Sequence, residues 1–157
     1  MKIKLILIGK TSDSRLLGLI DEYVSRLKYY ISFEQIVIPE LKNAKSMPVD
    51  LQKEKEADLI LSKIAASDDL VLLDEHGKML TSVGFSEYLS KKMNTSSRDL
   101  VFVVGGPYGF APKIYEKAKF LLSFSTMTFS HQMIRLFFVE QLYRAMTILK
   151  GEPYHHA

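Results

Sequence analysis

The chain of 157 residues contains no cysteine. This absence excludes disulfides, thiolate nucleophiles and cysteine-ligated zinc, and it suits the reducing environment of the cytoplasm. No apolar run reaches the ~18–20 residues that a membrane-spanning helix needs. The opening stretch MKIKLILIGKTSDS has too short an apolar run for a signal peptide and predicts a strand instead. We therefore expect a cytoplasmic protein without a membrane segment.

The usual fingerprints of nucleotide-dependent enzymes are also missing. The first predicted strand ends in LIGKTSDS, which lacks the G-x-G-x-x-G pattern of dinucleotide-binding folds, and no Walker lysine pattern occurs. No carboxylate pair, metal-ligand cluster or Ser-His-Asp arrangement stands out, so no metal is expected. Nicotinamide and nucleoside-triphosphate chemistry are disfavoured. Chemistry that uses a pre-activated cofactor would need no covalent nucleophile in the protein.

Charge and composition set weak limits. The formal net charge is +3, and hydrophobic and charged residues make up 47% and 25% of the chain, as in ordinary globular proteins. The small positive excess is a mild bias toward anionic partners such as RNA. An ordinary lysine-rich surface explains it equally well.

Short apolar runs alternate with segments of helical periodicity along the whole chain. Strands are predicted at 2–9, 33–40, 69–77, 99–106 and 120–125, and helices at 13–30, 49–66, 82–94, 111–119 and 131–150. This alternation predicts an α/β fold in one domain, residues 1–157, with a mostly parallel five- to six-stranded sheet covered by helices on both faces. The charged KEKE run at 53–56 predicts a solvated helix face.

The last predicted helix, HQMIRLFFVEQLYRAMTILK, carries apolar side chains almost all round. A helix that covers one face of a sheet needs only one apolar stripe. The surplus predicts a second buried face, for which a partner subunit is the natural candidate. A central helix buried within its own domain is the alternative.

Glycines follow the fourth predicted strand, in VFVVGGPYGF. In open α/β sheets ligands bind at the carboxyl ends of the strands. Three such ends are therefore expected to lie together: Leu73-Asp74, Gly105-Gly106 and the segment from Phe124 onward. We expect a ligand close to the backbone there.

The loop SFSTMTFSH, residues 123–131, is the most suggestive segment of that group. Its backbone can present N–H and C=O groups to an adenine edge, while Phe124, Met127 or Phe129 supplies apolar contact. It also fits a Ser/Thr-rich helix cap with Ser130 at the N-cap. The polar side chains to consider next are His131, Arg135, Arg144 and His155.

Four motifs together resemble a known family. GGPYG (105–109), LSFSTMTFSHQMIR (122–135), EQLYRA (140–145) and GEPYHH (151–156) occur in the order and spacing of SPOUT-class methyltransferases that modify N3 of a pseudouridine in bacterial 23S ribosomal RNA. The resemblance covers the whole chain. It implies a C-terminal trefoil knot, S-adenosylmethionine as methyl donor, and a homodimer whose long C-terminal helices pack together.

The resemblance also implies site residues, carried over motif by motif. The cofactor site would consist of Leu73, Gly105, Phe124, Ser125, Thr126, Met127, Thr128 and Phe129. The catalytic candidates are Arg135, Arg144, Tyr154 and His155. The two tail residues would lie near the partner subunit's cofactor.

The roles of the catalytic candidates follow from their chemistry. His155 either takes the N3 proton or only hydrogen-bonds the base while solvent takes the proton. Arg135 and Arg144 would hold phosphates or stabilise the anion that develops on the uracil ring. A chain without a separate RNA-binding module would recognise folded rRNA by shape, within assembled ribosomes.

Two other functions stay open beside this one. A SPOUT enzyme acting on tRNA or on another rRNA position shares most of the motifs. A non-catalytic RNA-binding or ribosome-assembly factor could keep the same fold without binding the methyl donor.

Overall fold

A computed structural model of the chain describes residues 1–156 and confirms the predicted alternation of strands and helices. The strands are β1 (Ile3–Ile8), β2 (Phe33–Ile38), β3 (Asp69–Met79), β4 (Leu100–Val104) and β5 (Phe120–Ser123). The α-helices are α1 (Ser14–Leu27), α2 (Val49–Leu61), α3 (Ser82–Thr95), α4 (Pro112–Lys117) and α5 (Met133–Leu149), and a short 3-10 helix covers Ala44–Ser46.

The strands form one five-stranded sheet in the order β2-β1-β4-β3-β5. All its pairings are parallel, as predicted; Ile3 of β1, for example, is in register with Phe33 of β2 and Leu100 of β4. The central strand β4 is buried along its whole length. Parallel strands covered on both faces require such continuous apolar runs, and LVFVV supplies one.

The helices cover both faces of this sheet, as predicted. One core cluster joins the sheet to α1, α3 and α5, and a second joins it to α2 and α4. Each helix runs back from the carboxyl edge of the sheet to the opposite edge, so the loops that follow the strands gather at one side. The trefoil knot stays a prediction.

Strand β3 is longer than predicted, because it leaves the sheet and rejoins it. Leu122 of β5 pairs with both Leu73 and Lys78 of β3, so residues 74–77 bulge outward between the two pairings. Gly77 closes the bulge: a β-carbon there would lie 2.6 Å from the carbonyl carbon and oxygen of Leu121. A period-2 pattern cannot reveal this bulge, since it depends on the neighbouring strand.

The prediction that KEKE is a solvated face is wrong at its last residue. Glu56 is only 6% exposed, and Gln52, one turn earlier, is also buried. The helix turns this side toward the loop after β4. The helix also ends at Leu61, five residues before the predicted end at 66.

Helix α5 buries one face within its own chain. Phe138, Val139, Leu142, Ala145 and Met146 pack against the sheet and α1 or α3. Other apolar side chains of this helix, namely Leu136, Phe137, Tyr143 and Ile148, are only partly buried. These side chains leave an apolar surface on α5 that a partner subunit could cover, and the dimer itself stays a prediction. Within residues 1–156, neither α5 nor another helix is both long and apolar enough to cross a membrane.

Candidate functional site

A pocket of about 370 Å³ lies at the carboxyl edge of the sheet, where the three predicted strand ends meet. We call it the edge pocket. Seven of the eight predicted cofactor residues line it: Leu73, Gly105, Phe124, Ser125, Met127, Thr128 and Phe129. The eighth, Thr126, is not among its lining residues. The grouping of strand ends that the sequence predicted is confirmed.

Glycines let the backbone after β4 form one wall of the edge pocket. A β-carbon on Gly105 would lie 3.1 Å from the ring of Phe110, and one on Gly106 would lie 2.9 Å from both carboxylate oxygens of Glu56. Gly109 has a φ of 81°, in the left-handed region that glycine tolerates best. Its amide donates to the carbonyl of Gly106 across 3.2 Å and closes the turn. Larger side chains would push this wall away from the pocket.

Hydroxyl groups shape the opposite wall, residues 123–130. Ser123 Oγ donates to the carbonyl of Ser125 across 2.8 Å, and Ser125 Oγ accepts from the amide of Met127 across 2.9 Å. Ser130 Oγ accepts from the amide of Met133 across 3.0 Å at the start of α5, but the N-cap residue of this helix is Gln132 and not the predicted Ser130. The serines therefore hold the loop conformation.

Aromatic rings anchor the same wall to α5. Phe124 stacks on Phe138 with ring centroids 6.4 Å apart, and Phe129 meets Phe137 at 5.0 Å. Aromatic pairs at these separations add to the stability that burial already provides. The loop thus contacts the helix at both of its aromatic positions, which sets where this wall of the edge pocket lies.

Two carboxylates lie at the rim of the edge pocket. Asp74, whose side chain is 7% exposed, accepts from the Tyr115 hydroxyl and from the His76 amide at 2.8 Å. Burial raises the pKa of Asp74, but the hydrogen bonds from Tyr115 and His76 outweigh it, and the net pKa lies below the usual value. Glu75 accepts from the Thr128 hydroxyl across 2.8 Å. These groups favour a ligand that carries positive charge.

The predicted residues of α5 and the tail form a separate group, the tail cluster: Glu140, Arg144, Tyr154 and His155. Nε and Nη2 of Arg144 donate to Oε1 of Glu140 across 3.1 and 2.6 Å. The Tyr154 hydroxyl donates to the same oxygen across 3.0 Å, and its ring lies 4.7 Å from the guanidinium carbon. The structure thus brings three of the four catalytic candidates together.

The protonation of the tail cluster follows from these contacts. Burial and hydrogen bonds to Tyr23 and Glu140 raise the pKa of Tyr154, so its phenol stays a donor at neutral pH. Nη1 of Arg144 lies 3.2 Å from Nδ1 of His155. A guanidinium can only donate, so Nδ1 accepts and a neutral ring carries its proton on Nε2. In this arrangement Nε2 of His155 is a hydrogen-bond donor.

The tail cluster does not line the edge pocket of its own chain. An adjoining cavity of about 290 Å³ lies between them; it shares Leu122, Phe124 and Phe129 with the edge pocket and reaches Glu140. Neither Tyr154 nor His155 lines either cavity. One copy of the chain therefore holds the two predicted parts of the site apart.

The fourth catalytic candidate, Arg135, has a different place. It is 1% exposed, and its guanidinium donates to the carbonyls of Ile8 and Gly9 across 2.8 and 2.9 Å and to Thr11 Oγ1 across 3.1 Å. Nε donates to the carbonyl of His131 across 3.0 Å. The arginine ties α5 to the end of β1. Because its guanidinium is buried, Arg135 cannot make the predicted contact with RNA phosphates.

Glu75, Glu140 and Glu56 escaped the sequence reasoning. Glu140 could have been found, since it stands four residues before Arg144 on a helix, where opposite charges meet. Glu56 could not, because a charged run predicts a solvated face and nothing local shows that Gly106 packs on it. Within residues 1–156 there is no group of three or more His, Cys, Asp or Glu that could hold a metal ion.

Comparison with known proteins adds an independent finding. The sequence model of the family described as "Predicted SPOUT methyltransferase" matches residues 1–155. The chain is 60% identical over 156 residues to the ribosomal RNA large subunit methyltransferase H of Flavobacterium johnsoniae. It is 58% identical to the protein of that name in Flavobacterium psychrophilum and 55% to the one in Bacteroides thetaiotaomicron. In each case the match covers 99% of both chains.

Proposed function

Because the chain belongs to the SPOUT methyltransferase family, we propose that it transfers a methyl group from S-adenosylmethionine to N3 of a pseudouridine in 23S ribosomal RNA. The observation that carries the proposal is the edge pocket, in which seven predicted cofactor residues converge. The name of the similar proteins, ribosomal RNA large subunit methyltransferase H, supports the choice of substrate.

The edge pocket fits the methyl donor in size and chemistry. Its volume of about 370 Å³ falls in the ~300–1,000 Å³ range of small-molecule sites. Asp74 and Glu75 suit the positively charged sulfonium and amino groups. Pro107 lacks an N–H, which matters little because S-adenosylmethionine has no phosphate. When bound, S-adenosylmethionine supplies an electrophilic methyl group on a cationic sulfur.

The tail cluster provides donors for the substrate base. N3 of the base must lose its proton before or during transfer, which places negative charge on the flanking carbonyl oxygens. The guanidinium of Arg144 and Nε2–H of His155 would stabilise that charge. Solvent takes the proton in this proposal, since Nδ1 of His155 faces Arg144 and Nε2 already carries a hydrogen.

A homodimer would bring the two parts of the site together. Tyr154 and His155 do not line the edge pocket of their own chain, so a second copy packed through α5 would supply them. The partly buried Leu136 and Phe137 offer apolar surface for that contact. Lysines and arginines of both protomers would then face the RNA, within assembled ribosomes in the cytoplasm.

Mass spectrometry of 23S rRNA fragments from cells with and without the protein tests the reaction. We expect one methyl group on a pseudouridine to disappear when the protein is absent and to return when it is supplied. An unchanged methylation pattern would contradict the proposal. Calorimetry with S-adenosylmethionine tests the alternative of a non-catalytic assembly factor, which need not bind it.

Sedimentation tests the dimer separately. We expect twice the chain mass at micromolar concentration. A replacement of Phe137 by glutamate should shift the protein toward monomer, because it puts a charge on the proposed contact. A wild-type monomer under these conditions would remove the dimer from the proposal.

A further inference from the structure

A third cavity lies beside the edge pocket and takes no part in the proposed reaction. It has a volume of about 190 Å³ and shares Pro107 and His131 with the edge pocket. We call it the side cavity. Its other walls come from α2, from the loop after β2 and from the tip of the glycine turn, which contribute Glu56, Lys45 and Tyr108.

Glu56 is an unusual group for such a place. It is 6% exposed, lines the side cavity and forms no ion pair within residues 1–156. Burial raises the pKa of Glu56, a hydrogen bond with Gln52 lowers it, and the nearby carboxylate of Glu40 raises it further. A carboxyl group accepts hydrogen bonds from N–H groups. The cavity therefore contains an acceptor for the N–H groups at the edge of a base.

Lys45 is the lysine that lines the side cavity beside Glu56 and Glu40. The negative charge of Glu40 interacts favourably with the buried guanidinium of Arg135. Lys45 belongs to the short 3-10 helix Ala44–Ser46 and makes no ion pair within the described residues. The ammonium group of Lys45 is thus available for an anion from outside the chain.

Tyr108 supplies a flat apolar surface at the same opening. It sits in the tight turn between Gly106 and Gly109 and is 54% exposed. Exposed aromatic rings are the common platform on which unstacked bases of single-stranded RNA stack. The ring of Tyr108 and the carboxyl group of Glu56 suit the base of a nucleotide, and the ammonium group of Lys45 suits its phosphate.

We propose that the side cavity binds a nucleotide adjacent to the methylated base, with Tyr108 stacking on its ring, Glu56 hydrogen-bonding its edge and Lys45 holding its phosphate. This inference rests on the proposed function, since it assigns a second RNA contact to the same enzyme. The volume of about 190 Å³ is below the ~300 Å³ at which sites for larger ligands begin. A cavity of this size has room for one planar ring.

The test compares Tyr108→Ala with Tyr108→Phe. Binding is measured with ribosomes from cells that lack the protein, and methyl transfer with radioactive S-adenosylmethionine. Loss of stacking should weaken ribosome binding roughly 5- to 150-fold for Tyr108→Ala, whereas Tyr108→Phe keeps the ring and stays near wild type. Tyr29→Ala, an exposed tyrosine just after α1 at the other edge of the sheet, is the matched control.

Lys45→Ala tests the phosphate contact through its salt dependence. The slope of the logarithm of the binding constant against the logarithm of salt concentration should fall by about 0.7–1. Lys63→Ala, which follows α2 at the opposite edge, should leave the slope unchanged. Glu56→Gln keeps a hydrogen-bond acceptor in place and should bind ribosomes within about threefold of wild type, whereas Glu56→Leu should bind more weakly than that.

The possible results separate this inference from the proposed function. Ribosome binding by Tyr108→Ala equal to wild type would overturn the inference while methylation by the wild type continued to support the function. A weaker affinity of Tyr108→Ala for S-adenosylmethionine alone, seen by calorimetry, would also overturn it, because the side cavity would then belong to the cofactor. A wild-type protein that neither binds S-adenosylmethionine nor methylates rRNA would refute the function itself.

Discussion

The guanidinium of Arg144 donates to Nδ1 of His155 across 3.2 Å. The same guanidinium is held by two hydrogen bonds to Glu140, one helical turn away on α5. The orientation of the tail histidine is therefore linked to the long helix through a single arginine. Because the arginine only donates, this contact also settles which ring nitrogen of a neutral His155 carries the hydrogen.

A donor role for His155 predicts a difference between two substitutions. Glutamine can place an N–H near the position of Nε2 but cannot take a proton. We expect His155→Gln to keep at least about a tenth of the methyl-transfer rate, and His155→Ala to lose roughly 10²–10³-fold, as for a missing oxyanion donor. Single-turnover assays with radioactive S-adenosylmethionine measure both. Equal losses in the two variants would instead favour His155 as the base.

Glu140 should act as a positioning residue. Glu140→Gln keeps the shape but removes the charge that holds Arg144 and accepts from Tyr154. We expect a loss of about 1–2 kcal/mol in the free energy of unfolding, since the pair is largely shielded from solvent. Methyl transfer should slow while the affinity for S-adenosylmethionine stays the same.

The control for Glu140 is Glu22→Gln. Glu22 and Arg26 form a similar pair four residues apart on α1, but both side chains are about half exposed. This substitution should change stability by less than about 0.5 kcal/mol. If Glu140→Gln behaved like Glu22→Gln in both stability and methyl transfer, the positioning role would be wrong.

Asp74 should contribute to the free energy of unfolding in a pH-dependent way. Its pKa is lowered in the folded chain, so ionised Asp74 stabilises the fold above its unfolded pKa of about 3.9, and this contribution is lost as the pH falls through the folded value. Asp74→Asn should therefore cost about 1–3 kcal/mol at pH 7 and progressively less below about pH 4. Urea denaturation at several pH values measures this. Asp58→Asn, at a carboxylate 70% exposed, is the control. A cost for Asp74→Asn that did not change with pH would contradict the assignment.

Arg135 should matter for folding rather than for RNA binding. In Arg135→Lys a single ammonium replaces the planar fork that serves the carbonyls of Ile8 and Gly9. Each buried carbonyl left without a donor costs about 1–3 kcal/mol, so we expect a total loss of about 3 kcal/mol or less in chemical denaturation. Lysine keeps the charge, so the RNA contact is tested with Arg135→Met, whose folded fraction should keep the salt dependence of ribosome binding. A reduced salt slope for Arg135→Met would instead support the phosphate contact that the sequence predicted.

Gly77 and Gly18 should respond to alanine in opposite directions. A β-carbon at Gly77 would lie 2.6 Å from the backbone of Leu121, so Gly77→Ala should cost about 1–3 kcal/mol and widen the bulge beside the edge pocket. Gly18 lies inside α1 with open space around it, so Gly18→Ala should stabilise by about 0.5–1 kcal/mol. Thermal denaturation compares the two. A neutral Gly77→Ala would show that the bulge shifts freely.

The arrangement of strands and helices could be predicted because the apolar runs show which segments are strands buried between layers of helices. LVFVV is apolar at every position, which only a strand covered on both faces requires. The bulge of β3 and the end of α2 at Leu61 could not be predicted. The bulge depends on how β3 pairs with β5, and a local pattern contains no such information.

The edge pocket could be predicted for a similar reason. Parallel strands end at one edge, so Leu73, Gly105 and Phe124 had to come together once the fold class was known. The contacts of the tail cluster could not, because they depend on how the residues after α5 fold back onto that helix, and the sequence pattern does not show this. The pairing of Tyr154 with Glu140 across 3.0 Å is a tertiary contact.

Sequence was sufficient for the fold class, the family and the position of the edge pocket, since these depend on residue type and order. Tertiary structure decided what the charged residues do. Arg135 and Arg144 are nine residues apart on one helix, yet one is buried against backbone carbonyls and the other holds the tail histidine. Glu56 belongs to a charged run but is buried behind Gly106. The role of a charge depends on its distance to partners and to water, and only the folded chain sets those distances.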